Sequence, residues 1–469
     1  MVLVVRQISV DPGTQDLFLK SEKLAETFSK SFCFAKWYHA NINLQLGETN
    51  SCYHPPPHPI DQSLLEDNPS AIHNTPVKLE EREQMLDGAR PPGCQYCWNI
   101  ENLGKGLLSD RHVRNGSMFN PERIREIQKI GIGSKTVPTY IEVSFGNECN
   151  FKCGYCHPKY SSRYKNEIKQ FGPYPNVLHH SCDVAGQRIY SEDENPILES
   201  WWRWWDEIKG GLRIFRITGG EPLIQKSTQK LLESIENSPL PHLELNINSN
   251  FGSSSQIVQH FCRRVEGLVS TGKIARFKLF TSIDTWGSQA EYIRTGLSLP
   301  LFESNLKTYL TETSQPVTFM VTFNLFSLVR FRDLLEKILE IRSVFQWDSP
   351  LQLHRLNFDI SYLREPIQYD IQILPKDQYL PLMENHLEFI RQNVNNKDKS
   401  KFTEIEYEKF RRIYEYMKNT HYESEKIRLG RRDFWNFFKE QDRRRGTSLH
   451  HAFPEMADFF EQCEQETQL

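Results

Sequence analysis

Between residues 136 and 375 the hydrophobic pattern switches repeatedly between two periods. Short apolar runs read as buried strands at 139–145, 212–218, 242–248, 277–284, 317–324 and about 354–361. The stretches between them carry the spacing of amphipathic helices, at 196–209, 226–237, 253–270, 301–311 and 327–344, with Gly210-Gly211 as a stop for the first. Strands alternating with helices predict a parallel sheet covered by helices. Six such units predict an α/β fold built on a partial (β/α)6 TIM-like barrel, smaller than the eight-unit form. Two stretches break the pattern. Residues 160–195 show no clear period and are long for a connection, which predicts a functional or mobile loop. Trp201-Trp-Arg-Trp-Trp205 opens a helix, where consecutive positions cannot share one face. Some of these rings are expected to meet the sheet and others a neighbouring domain, a role favoured over base stacking.

On either side of this region the pattern differs. Residues 1–27 carry no readable period. Alternation then develops within 37–46, Gly47 marks a turn, and Cys52 follows on the expected return strand of a hairpin. Pro55-Pro-Pro57 and Pro59 exclude a helix or a central strand. Residues 78–86 read as a short amphipathic helix, which Arg90-Pro-Pro-Gly93 stops before Cys94-Gln-Tyr-Cys97. From Lys376 the chain reads as helical and charged. Residues 426–445 interleave Lys426, Arg428, Arg431, Arg432, Lys439, Arg443, Arg444 and Arg445 with Phe434, Trp435, Phe437 and Phe438. Such a mixture serves either a packed helical appendage or a nucleic-acid surface, and the acidic neighbours Glu440 and Asp442 favour the appendage. The expected organisation is an N-terminal segment at 1–30, a small cysteine-rich domain at 31–135, the β/α core at 136–375 and a helical C-terminal extension at 376–469.

Composition narrows the setting. The 469 residues are 38% hydrophobic and 25% charged with a net charge of −3, as in a soluble globular protein of one large or two to three ordinary domains. That charge gives no general attraction to nucleic acid or an anionic membrane. No apolar run has the length to span a bilayer, and Met1–Val5, broken by Arg6, is too short for a signal-peptide core. The expected location is the cytoplasm, with no membrane partner. In that setting ten cysteines read as metal ligands more readily than as disulfides. Seven fall into two sets, Cys33, Cys52, Cys94, Cys97 and Cys149, Cys153, Cys156, while Cys182, Cys262 and Cys463 read as buried free thiols.

Cys149-x3-Cys153-x2-Cys156 closely follows the strand at 139–145. Three thiolates leave a four-ligand shell incomplete, so the loop holds either a cluster with one open iron or a zinc ion completed by His157 or a distant cysteine. The set at 33, 52, 94 and 97 is complete in itself, and zinc and iron–sulfur both suit a tetrathiolate site. Parallel sheets place their sites at the carboxyl ends of strands. Those ends carry Thr218-Gly-Gly-Glu-Pro222, Asn248-Ser-Asn250, Ser282-Ile-Asp284 and Asn324. Each alone is ordinary turn chemistry; their coincidence beside a cysteine loop favours a site. Gly219 and Gly220 leave room for close backbone approach, Glu221 can hold an ammonium, and Pro222 stiffens the turn.

The cysteine spacing, with Tyr155 before the last cysteine and Gly219-Gly-Glu-Pro222 after the next strand, resembles the radical S-adenosylmethionine (SAM) superfamily over about residues 136–375. The resemblance implies that Cys149, Cys153 and Cys156 hold a 4Fe–4S cluster whose open iron takes the amino and carboxylate groups of SAM. It implies that Gly219, Gly220 and Glu221 bind the methionine amino group, that Tyr155 lies beside the adenine, and that Ser282 and Asp284 contact the ribose or methionyl part. Arg294, in Tyr292-Ile-Arg-Thr-Gly296, resembles an arginine that pairs with the methionine carboxylate, and Asn248 and Asn250 are further candidates. Cys33-x13-Gly47-x4-Cys52 with Cys94-x2-Cys97, followed by Trp98, Glu101, Gly104, Ser109 and Arg111, resembles the twitch domain, a shortened SPASM auxiliary-cluster domain, here placed before the barrel. Together these imply an oxidoreductase or modifying enzyme. It would draw an electron from a donor such as flavodoxin or ferredoxin, cleave SAM to a 5′-deoxyadenosyl radical, and abstract hydrogen from an unidentified small molecule, peptide or protein, with an auxiliary cluster relaying electrons. The competing expectation is a zinc-stabilised binding or scaffold protein whose basic tail touches nucleic acid or protein; Gly219-Gly-Glu-Pro222 has no role in it.

Overall fold

The computed structural model describes residues 12–102, 108–130, 135–178, 186–346 and 354–468; Gly104 and Cys182 lie outside them. The fold is mixed α/β, with a mostly parallel nine-stranded sheet and a helical C-terminal region, and is compatible with the expected partial barrel. The chain divides into two units, Met1–Ser144 with Tyr190–Arg216, and Phe145–Ile189 with Ile217–Leu469.

In the first unit, β1 (His39–Asn43) turns into β2 (Glu48–Asn50), the antiparallel hairpin expected from the alternation. Gly47 sits in the turn at φ +66°, a backbone conformation that favours glycine, and a Cβ there would also press on the end of the Ile197 side chain at 2.9 Å. Strand β2 pairs antiparallel with β3 (His58–Pro59), and β1 pairs parallel with β4 (Tyr140–Ser144) in the register His39 to Tyr140 through Asn43 to Ser144. Phe32, Phe34, Trp37, Tyr38, Met85 and Trp98 form an apolar core that also receives Cys33 and Cys94.

The helix Pro76–Leu86 is capped by the Thr75 hydroxyl, but its buried face is Lys78, Arg82 and Met85, so cations occupy positions that an amphipathic reading gives to apolar side chains. The tryptophan cluster also departs from expectation. Trp201, Trp204 and Trp205 do share one buried face of the helix Pro196–Ile208, at the i, i+3, i+4 spacing. Their rings stand 5.9 and 6.3 Å apart, with Phe215 5.2 Å from Trp205, and only Trp202 and Arg203 turn outward. The stretch before residue 28, unreadable in sequence, contains a helix at Pro12–Thr27.

Strand β5 (Ile214–Thr218) runs across the boundary between the units. In the second unit β6 (Leu240–Ser249), β7 (Ile274–Ser282), β8 (Val317–Phe323) and β9 (Leu356–Tyr362) run parallel in that order. Helices at Lys226–Asn237, Ser255–Ser270, Leu299–Glu312 and Leu325–Val344 alternate with them. The segment 160–195 holds a helix at Ser162–Phe171, whose buried face includes Glu167 beside Tyr164 and Ile168; that charge blurs its period. Beyond Tyr362 come helices at Lys376–Gln392, Glu404–Asn419, Ser424–Arg445 and Ala457–Gln468. Phe434, Phe437, Phe438, Phe459 and Phe460 are buried among them. Most basic residues of Ser424–Arg445 are committed within the fold: Arg428 to Glu425, Arg431 to Glu466, Arg443 and Arg444 to Glu440, and Arg445 to Glu167. No described helix is long and apolar enough to cross a membrane.

Candidate active site and metal centres

The second unit gathers three strand-end segments around the cysteine loop. Among the described cysteines, Cys149, Cys153 and Cys156 included, none is in a disulfide. The Phe151 N–H points at Cys149 Sγ at 3.4 Å, and the Cys156 N–H bonds the Cys153 carbonyl at 3.0 Å, so the loop curls around its own sulfurs. Burial raises all three thiols, Cys149 to about 12, and neighbouring thiols push Cys149 and Cys156 the same way. Such thiols shed their protons on taking a metal.

The turn after β5 packs directly on this loop. The Glu221 N–H donates to the Glu148 carbonyl at 2.7 Å. Gly219 and Gly220 have φ of +75° and +54°. A Cβ on Gly220 would run into the Glu148 carbonyl and lie 2.8 Å from Gln225 Nε2. Gln225, which the sequence reading missed, donates to the Gly146 and Gly219 carbonyls at 3.2 and 3.1 Å and so ties the two segments together.

Glu221 is fully buried. Its carboxylate accepts from Ser249 Oγ and the Asn250 N–H, each at 2.6 Å, and from the Leu223 N–H at 3.1 Å. It thus brackets the ends of β5 and β6. Asn250 carries the bracket onward, donating to Asn150 Oδ1 at 2.7 Å and approaching Cys149 Sγ at 3.9 Å. Asn248 is only half-buried. Burial pushes the Glu221 carboxyl up from the usual 4.5 to about 7, although its three donors favour the charge. Between those values the folded chain keeps a proton that the unfolded chain has lost. The stabilising share is therefore complete below about pH 4.5 and is lost as the pH rises through 7, a change of about 3 kcal/mol. Glu221→Gln does not titrate, so the advantage of the parent chain over it should shrink by about 3 kcal/mol between about pH 4.5 and pH 8. Paired urea midpoints measure this.

Tyr155, Asp284 and Arg294 meet in a buried triad. The Tyr155 hydroxyl donates to Asp284 Oδ2 at 2.5 Å, and Arg294 Nη1 reaches the same oxygen at 3.0 Å and the Tyr155 hydroxyl. Asp284 Oδ1 accepts the Thr322 N–H from β8 at 3.0 Å. Arg294 keeps a buried Nε with no hydrogen-bond partner among the described residues. Ser282 ends β7 and is half-buried. Asn324 is turn chemistry: it caps the helix Leu325–Val344, accepting from Phe326 and Ser327. Two further neighbours went unread in sequence, Tyr369, whose ring stands 5.6 Å from Tyr155, and Gln441, beside Gly154.

In the first unit Cys33, Cys52, Cys94 and Cys97 line one cavity with Lys36, Tyr53, Arg111 and Arg114. Among the described residues no three His, Cys, Asp or Glu side chains close on a single ion, here or at the loop of Cys149, Cys153 and Cys156. Burial raises each of them, Cys94 to about 11 and Cys97 to about 12. Lys36, 2% exposed, pairs with Glu81, and its charge favours the Cys94 thiolate against the larger effect of burial. Arg111 forks onto Glu101 at 2.9 and 3.0 Å and donates to the Phe32 carbonyl beside Cys33 at 3.0 Å, while Ser109 Oγ donates to Glu101 at 2.6 Å. Trp98 packs under Arg90 and Arg111.

No family model matches the chain. It is similar to GTP 3′,8-cyclase from Brucella abortus strain S19, and to the enzyme of the same name from Brucella ovis, 22% identical over 250 residues in each case. The match covers 52% of this chain, and the chain spans 57% of those relatives' length. This distant likeness supports the radical SAM superfamily.

Proposed function

We propose that the chain is a radical SAM enzyme with a second, auxiliary iron–sulfur cluster. The observation that carries this is the contact of the three-thiol loop with the Gly219–Glu221 turn, through the Glu148 carbonyl, at a strand end that also presents Asn250, Asp284 and Arg294. The donor set fits the group. Three thiols leave one iron of a cubane open, and the unpartnered Arg294 Nε is a donor for a carboxylate. Cys149, Cys153 and Cys156 would hold the cluster, with Tyr155, Gly219, Gly220, Glu221, Ser282, Asp284 and Arg294 around SAM. When bound, cluster and SAM together supply one-electron cleavage of the sulfonium C–S bond and a 5′-deoxyadenosyl radical that takes hydrogen from substrate.

The chain's own part is geometric. Glu221 and Asn250 hold two strand ends against the cysteine loop. Asp284 fixes the Tyr155 phenol and the Arg294 guanidinium so that neither must be ordered when SAM arrives, which lowers the entropic cost of binding.

For the auxiliary site, the twitch-like set of Cys33, Cys52, Cys94 and Cys97 stands among Lys36, Arg111 and Arg114, and those cations suit a dianionic tetrathiolate centre. Replacing Cys94 and Cys97 together with serine should remove about half of the iron from anaerobically reconstituted protein and spare the SAM-sensitive signal. Stoichiometric zinc in that cavity, with no change in iron, would contradict the second cluster.

The electron donor is proposed to be a flavodoxin or ferredoxin, and the location cytoplasmic. The relatives' name makes GTP the first small molecule to test, beside a peptide or protein substrate. Incubation of the reduced holoenzyme with SAM and GTP tests it: a GTP-dependent rise in 5′-deoxyadenosine supports the nucleotide, and no rise removes it.

A further inference from the structure

The end of the helix Ser424–Arg445 comes down on the cysteine loop. The Arg445 guanidinium forks onto Glu167, with Nε to Oε2 and Nη2 to Oε1 each at 3.0 Å, and the two side chains are 1% and 2% exposed. The same carboxylate accepts from Lys152 Nζ at 2.5 Å and from Tyr174 Oη at 2.6 Å. Lys152 lies between Cys149 and Cys153. Arg445 Nη1 also donates to Thr295 Oγ1 at 3.0 Å, and the Thr295 carbonyl accepts the Lys152 N–H at 2.8 Å. One turn earlier, Gln441 accepts from Arg445 at 2.9 Å. Gln441 also stands with Tyr369 over Gly154, where a Cβ would lie 2.6 Å from Gln441 Oε1 and run into the Tyr369 hydroxyl.

A buried ion pair is a costly way to stabilise a fold, because desolvation consumes most of the attraction; its best-attested use is to specify one geometry. Here both ends of the network grip residues between the cysteines. We propose that Arg445 and Gln441 are positioning residues for the cysteine loop. Arg445 acts through Glu167 on Lys152, and Gln441 acts with Tyr369 against Gly154, so the C-terminal helix sets the spacing of Cys149, Cys153 and Cys156 before iron arrives. This rests on the proposed function only for the identity of what the loop binds.

The test uses the full-length chain carrying Arg445→Gln, Arg445→Lys or, as a control at an exposed pair, Arg428→Gln. Two quantities are read: hydrogen exchange of residues 149–156 in the iron-free protein, and iron loss to a chelator after anaerobic reconstitution, the loop's share being the iron missing from Cys153→Ser. Arg445→Gln should lose the loop's iron about tenfold faster, the effect of removing a residue that orients metal ligands. Its 149–156 amides should exchange faster too. Arg445→Lys, which keeps the charge without the fork, should fall between, and Arg428→Gln should match the parent. Parent-like exchange and iron loss in Arg445→Gln would overturn the proposal. If Arg445→Gln unfolds globally, Lys152→Met decides, since it cuts the same network at its more exposed end: faster exchange supports the proposal and parent-like exchange overturns it. A parent chain that takes no iron at this loop would refute the radical SAM reading instead, while exchange in the iron-free protein still reports on the positioning.

Discussion

Replacing Cys153 with serine should abolish reductant-driven formation of 5′-deoxyadenosine and remove about half of the reconstituted iron, one cubane of two. Cys153 is 7% exposed in a loop whose backbone is fixed from several sides, by the Thr295 carbonyl on Lys152, the Asn150–Asn250 hydrogen bond and the Glu148–Glu221 hydrogen bond. Serine is a poor ligand for a soft site. Serine at Cys149 or Cys156 should do the same. Cys262 and Cys463 are also fully buried, but in the helices Ser255–Ser270 and Ala457–Gln468, away from both cysteine sets in sequence. Alanine there should cost stability on the order of 1–2 kcal/mol and no iron. Iron analysis and product quantification on the five variants separate the two outcomes.

Gly220→Ala should be nearly as damaging, for a steric reason. At φ +54° any other residue is strained by about 1–2 kcal/mol. Beyond that, the new Cβ would meet the Glu148 carbonyl, which is backbone and cannot rotate away. The turn and the cysteine loop would have to part, breaking the Glu221–Glu148 hydrogen bond on which the site is assembled. SAM affinity should fall at least about tenfold, with cluster loading reduced. Gly272→Ala is the matched control. Gly272 has φ +68° and nothing within 4 Å of a Cβ, so it carries the backbone strain without the collision. Binding titrations on the two variants should therefore differ, and the unfolding midpoint of Gly220→Ala should fall further, by the cost of the collision and the broken hydrogen bond.

The β/α core was legible because its strands alternate buried and half-buried positions and its helices bury one face, which writes two periods into the sequence. The strands at Ile214–Thr218 and Val317–Phe323 match the apolar runs within a residue or two. Legibility failed where polar residues hold buried positions. Glu167 interrupts the period of the helix Ser162–Phe171, and Lys78 and Arg82 do the same at Pro76–Leu86. The tryptophan stretch misled in the opposite sense: a run of like residues hides the i, i+3, i+4 face formed by Trp201, Trp204 and Trp205. In the site, residue types and spacing marked the thiols and the Gly219–Glu221 turn. The partners that hold them, Gln225, Ser249, Tyr369, Gln441 and Arg445, come from distant segments and are ordinary residues locally. A signal was available for one of them, a cationic helix end with more arginine than solvation needs.

The central claim is that the three-thiol loop and the Gly219–Glu221 turn together bind a cluster and SAM for reductive cleavage. The most direct measurement is anaerobic: reconstituted parent chain, dithionite and SAM, with 5′-deoxyadenosine quantified over time. The account predicts formation that depends on both reductant and SAM and disappears in Cys153→Ser. Protein with a full complement of iron and sulfide at this loop that yields no 5′-deoxyadenosine under those conditions would contradict it.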